Sequence, residues 1–104
     1  MIKSPLKGSG LKLNVYVAQI GGIHLAECDF ECTFFTFSRF MGITLKKEQM
    51  TYVDEDNYIA TIDSSALSPG RVSVLIKVQV PDGEFKGGYR TEIAELATDE
   101  TIYP

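Results

Sequence analysis

The chain has 104 residues, 44% of them hydrophobic and 23% charged, which is enough for one buried core and typical of a soluble globular protein. Ten basic side chains stand against 14 acidic ones, a net charge of −4, the wrong sign for neutralising a phosphate backbone. Composition thus excludes a disordered chain and argues against a nucleic-acid partner.

Residues 1–10 mix Lys3, Lys7 and Pro5 with Ser and Gly and have no apolar period, so they read as a flexible N-terminal arm. Residues 11–104 form the single domain. Its first apolar stretch, Leu11 to Ile23, is broken by Lys12, Asn14 and Gln19, unlike a signal peptide or a membrane span.

From Leu11 the apolar residues Leu13, Val15 and Val17 fall on alternate positions, the period of a strand with one face on a core. Gly21-Gly22 ends that strand. Cys28, Phe30, Cys32 and Phe34 then alternate with Asp29, Glu31 and Thr33 in a second. Ser38 to Gly42 predicts a turn, Ile43 to Leu45 a short third strand, and Lys46 to Gln49 a turn or a single helical turn. Met50 to Val53 is a weak fourth strand. Asp54-Glu55-Asp56-Asn57 is a turn, because these side chains bond their own backbone. Tyr58, Ala60 and Ile62 mark a fifth strand, after which Asp63 or Ser64 caps a short helical turn that Pro69-Gly70 stops. Leu67 would close the end of the core.

Val72, Val74, Ile76, Val78 and Val80 form the longest alternation, a β-branched central strand. A Gly-rich hairpin tip follows, and Tyr89 to Leu96 is the last strand. Seven short strands with turns at this spacing make an all-β, two-sheet sandwich. The turn with a buried Leu before the longest strand is similar to the connection before the sixth strand of immunoglobulin-like domains, although the chain has no Trp and its two cysteines share one strand.

Cys28 and Cys32 would lie about 13 Å apart on a strand, beyond the roughly 7 Å that a disulfide spans. They read as reduced core residues. His24, Cys28 and Cys32 have the ligand types for zinc, but a strand separates them too widely for one ion. Asp54, Glu55 and Asp56 lack the Gly and the distant Glu of a calcium loop. Arg90 and Glu92 share one face of the last strand and predict a cross-strand ion pair worth less than about 1 kcal/mol. With one His and no supported Ser or Cys nucleophile, neither an enzyme nor a cofactor is expected.

The segments ECDFECTF, VDEDNYIATIDSSALSPGRVSV and VPDGEFKGGYRTEI lie between Ala26 and Leu96. This stretch resembles a group of short tail-associated proteins of phages and prophages of gut bacteria. Its layout is similar to the immunoglobulin-like N-terminal domain of the phage baseplate upper protein. The resemblance implies a structural or adaptor role in a tail or baseplate, with a protein partner and residence in the host cytoplasm and then the virion. An alternative is a ligand-binding module for a bacterial-surface glycan, served by Tyr52, Tyr58 and Tyr89 if exposed. Homo-oligomers are compatible with either role.

The second strand also predicts a partner surface. With Phe30 and Phe34 inward, Phe35 and Phe37 face outward; with Phe40 and Met41 in the following turn and Ile59 on a neighbouring strand they would form an exposed apolar patch.

Overall fold

The computed structural model describes residues 10–37 and 41–102. Of the arm expected over residues 1–10, only Gly10 falls within them, and it opens the first strand. Seven strands follow in order among the described residues: β1 Gly10–Tyr16, β2 Asp29–Phe35, β3 Ile43–Lys46, β4 Thr51–Asp54, β5 Asn57–Asp63, β6 Gly70–Pro81 and β7 Tyr89–Ile102. All are paired antiparallel, in a three-stranded sheet of order β1-β5-β4 and a four-stranded sheet of order β3-β2-β6-β7. This is the immunoglobulin order, with strands B, E and D in one sheet and C′, C, F and G in the other.

The core is built from the inward rows that the alternation predicts. Leu11, Leu13 and Val15 of β1 and Tyr58, Ala60 and Ile62 of β5 line one sheet; Phe30, Cys32 and Phe34 of β2 and the Val72-to-Val80 row of β6 line the other. The Phe30 ring meets the Tyr58 ring edge-on, with centroids 5.0 Å apart, and so joins the two sheets. Leu67 plugs the end of the sandwich after a 3-10 turn over Ser64–Ala66. Asp63 starts that turn, its Oδ1 accepting hydrogen bonds from the Ser65 N–H and hydroxyl.

Turn chemistry closes the connections. Gly21 and Gly22 both have positive φ, and the Ile20 and Ile23 backbones exchange two hydrogen bonds around them, so the pair forms a tight reversal that larger residues would strain. Lys46 to Gln49, read as a turn or a helical turn, is a 3-10 turn over Lys47–Gln49. From it the Lys47 ammonium reaches back to donate to the Ala26 and Cys28 carbonyls at 2.7 and 2.8 Å. Those two charge-assisted bonds tie the β3–β4 link to the start of β2.

The last strand is longer than its sequence predicts. It continues past Leu96 to Ile102, because after a bulge opposite Val72 it pairs again with the start of β6, Arg71 against Thr101 and Gly70 against Ile102. The Thr98 hydroxyl holds the bulge by donating to the Val72 carbonyl at 2.7 Å. The polar run from Thr98 to Thr101 carries no apolar period, yet it delivers Ile102 into the core.

Cys28 and Cys32 are both free and buried. Burial pushes the Cys32 thiol up to about 12 and the Cys28 thiol upward as well, since a thiolate would lose its hydration. A thiol reagent should therefore titrate neither cysteine in the folded protein and both after denaturation. Recovery of fewer than two thiols in denaturant without reductant would reveal a disulfide and contradict this packing.

Candidate interaction surface

The predicted apolar patch does not assemble as one surface. Phe35 lies half-buried on the outer face of the four-stranded sheet, in register with Ser73, whereas Ile59 lies half-buried on the outer face of the three-stranded sheet, between Asn14 and Thr51. Two outer faces of a sandwich point in opposite directions, so these side chains cannot touch one partner surface together. Phe37 and Met41 do protrude, at 88% and 72% exposure, from the β2–β3 connection. Phe40 lies outside the described residues. Gly42 lets that connection run close to β2, since a Cβ there would sit 2.6 Å from the Phe34 carbonyl oxygen.

A larger apolar feature lies where the two sheets fail to cover each other. Strand β7 extends the four-stranded sheet beyond the edge of its partner sheet, which ends at β1. In register with inward Val74, Ile76, Val78 and Val80, the side chains of Leu96, Ala94, Glu92 and Arg90 share the inner face, yet all but half-buried Arg90 are exposed. The result is a trough between β1 and β7. One half, about 470 Å³, is lined by Val17, Ile20, Ile76, Val78, Ala94 and Leu96, among others. The other half runs along β1 from Lys12 to Tyr16 against Leu96 to Glu100, and the two halves share Tyr16, Ile76 and Leu96.

Alternation alone does not reveal this trough, because an inward apolar row is the ordinary sign of a covered core. Its signal was the mixture on β7, where Arg90 and Glu92 occupy the same face as Ala94 and Leu96. Such a face can be only partly buried.

Charges close one end of the trough. The expected cross-strand pair of Arg90 with Glu92 is instead a pair along one strand, at 3.0 Å, while Arg90 also binds Asp82 at the hairpin base at 2.8 Å. The cause is spacing, since residues two apart on a strand lie on one side and Val78 stands opposite Glu92. The Glu84 N–H and then Arg90 hold the Asp82 carboxyl below its usual range.

His24 is a separate clasp. It precedes a 3-10 turn over Leu25–Glu27, and its ring nitrogens lie 2.9 Å from Asp56 and 3.1 Å from Glu55, both in the β4–β5 turn. Backbone bonds from Val17 to Asp56 and from Ala26 to Glu55 fasten the same turn. The Asp56 hydrogen bond outweighs desolvation and raises the imidazole pKa. With both nitrogens facing carboxylates, the ring is committed to structure. Among the described residues no group of three His, Cys, Asp or Glu side chains could hold a metal ion, and no helix is long and apolar enough to cross a membrane.

Of the tyrosines, Tyr58 is buried and makes an edge contact with Tyr52, while Tyr52 and Tyr89 are exposed. Tyr89 borders a shallow depression with Asp29, Gln79, Pro81 and Gly88. No protein-family model, curated protein or solved structure matches the chain.

Two predictions follow from these placements. Because the folded-state pKa of His24 is raised, its clasp contributes fully below the ordinary value of 6.5 and is lost as pH rises past 6.5 through the raised value. Thermal melts across that window should show stability declining with pH in the wild type and a flatter profile in His24→Gln; parallel profiles would discount the clasp. The phenylalanines three residues apart should behave oppositely. Phe34→Ala, at a side chain 1% exposed, should cost about 3–5 kcal/mol in urea unfolding. Phe37→Ser should stay within about 0.5 kcal/mol of wild type.

Proposed function

We propose that this chain is a non-enzymatic binding module, a structural or adaptor protein of a phage or prophage tail or baseplate. The observation that carries the binding reading is the trough between β1 and β7, an exposed apolar surface continuous with the core. Residues capable of chemistry are otherwise committed: the described thiols are buried and held protonated, and His24 is enclosed by carboxylates. The tail or baseplate assignment draws its support from the sequence segments that resemble phage tail-associated proteins.

A glycan-binding role is the second reading, favoured by one observation. Tyr89, Asp29 and Gln79 set an exposed ring beside a carboxylate and an amide, the mixture that sugar sites use for stacking and hydroxyl recognition.

Density-gradient particles from a strain carrying the gene provide the test. Quantitative mass spectrometry should find the chain in fixed ratio to the other tail proteins. Particles with a full tail complement and no trace of the chain would reject the tail assignment. Binding of surface polysaccharide, abolished by Tyr89→Ala, would favour the glycan reading in its place.

A further inference from the structure

We propose that His24 is a proton-operated selector: the protonated ring holds Glu55, whereas the neutral ring releases Glu55 and takes the Gln19 amide instead, which fastens one wall of the trough.

The Nε2 nitrogen has two partners of opposite kind. Glu55 Oε2 lies 3.1 Å from it and the Gln19 amide nitrogen 3.4 Å. A carboxylate only accepts hydrogen bonds and an amide nitrogen only donates them, so the two cannot be served at once. Protonated Nε2 has a hydrogen for Glu55 and no lone pair for Gln19. Deprotonated Nε2 has a lone pair for Gln19 and repels Glu55. Turning the amide to present its oxygen does not lift the conflict, because charged Glu55 is the stronger acceptor for the ring cation.

The other ring nitrogen decides which proton leaves. Nδ1 lies 2.9 Å from Asp56 Oδ1, a closer contact than Nε2 makes with Glu55, and the Asp56 side chain is 24% exposed against 65% for Glu55. The better-shielded carboxylate holds its proton more firmly, since water screens it less. The neutral ring therefore keeps its hydrogen on Nδ1, and Nε2 is the atom that changes from donor to acceptor.

The groups that face the ring are Glu55 and Asp56 from the β4–β5 turn, Glu27 from the 3-10 turn over Leu25–Glu27, and uncharged Gln19 from the link after β1. Glu27 keeps its own bond in both states, since its Oε2 accepts from the His24 backbone N–H at 2.9 Å. Once the ring is neutral, Glu55 is left beside two carboxylates of like charge and turns to water. The β4–β5 turn itself stays docked, because the bonds from Val17 to the Asp56 carbonyl and from Ala26 to the Glu55 carbonyl run through the backbone.

The exchange reaches the trough through Gln19. Val17 is anchored by its bond to Asp56 and Ile20 by the two bonds it exchanges with Ile23, while exposed Ala18 and Gln19 lie between them. Val17, Ala18 and Ile20 line the trough. Binding of Gln19 to the neutral ring adds a third anchor to this wall, and protonation removes it. A single charge change thus selects between two local arrangements.

An NMR titration of the isotope-labelled full chain from about pH 5 to about pH 9 provides the test. Ring nitrogen shifts should show the neutral ring protonated on Nδ1, and the Gln19 side-chain amide should move with the same midpoint. Heteronuclear NOEs at Ala18 and Gln19 should rise above that midpoint. Two variants at exposed positions should shift it in opposite directions: Glu55→Gln downward, by removing the cation's partner, and Gln19→Ala upward, by removing the neutral ring's donor. Gln19→Ala should also abolish the rise in the NOEs. A neutral ring protonated on Nε2, a Gln19 amide that ignores the ring titration, or a midpoint that Gln19→Ala leaves unchanged or lowers would overturn the proposal. A plain charge clasp predicts that last outcome, since Gln19 carries no charge. A midpoint that Glu55→Gln fails to lower would overturn it as well.

Discussion

The fold depends on closing two inward rows against each other, with Phe30, Cys32 and Phe34 of β2 and the Val72-to-Val80 row of β6 on one side and the β1 and β5 rows on the other. Burying one such side chain contributes about 1.5–3 kcal/mol, whereas an exposed ion pair contributes about 0–1 kcal/mol. The rows therefore decide the architecture, and the charged contacts refine its ends. Small residues allow the closure: Cys32 and Ala60 are completely buried, where larger side chains would have to displace neighbours in a close-packed interior.

The same rows explain why one side of the sandwich is open. Strands β2 and β6 lie inside the four-stranded sheet, but β7 lies at its edge, beyond the reach of a sheet that ends at β1. A strand in that position keeps an inward face without a cover. Its composition fits the position, since Arg90 and Glu92 satisfy each other at one end while Ala94 and Leu96 continue the apolar surface at the other.

Polar contacts act at the ends, where rows of apolar side chains run out. His24 fastens the β4–β5 turn, Lys47 fastens the β3–β4 link, and Asp82 with Arg90 fastens the last hairpin. Each uses charge at a half-buried site, where it costs little desolvation and fixes a loop that lacks ladder bonds. Binding surfaces framed by such loops and edges inherit their rigidity from the core without belonging to it.

The strands and their inward sides are legible in the order of residues alone, because a period of two records which side chains leave water: the Val72-to-Val80 row and the Phe30-to-Phe34 row needed no further information. The turns at Gly21-Gly22 and Asp63 are legible in the same way, since their backbone chemistry is local. What covers each face depends on how the strands are ordered in space. Periodicity assigns a side chain to one side of its own strand, and strand order then assigns that side to core, trough or solvent. That is why Phe35 and Ile59, both correctly placed outward, fall on opposite faces, and why Leu96, inward by register, remains exposed. Ile102 is the converse case, an apolar residue after a polar run that reaches the core only because pairing with β6 resumes beyond a bulge.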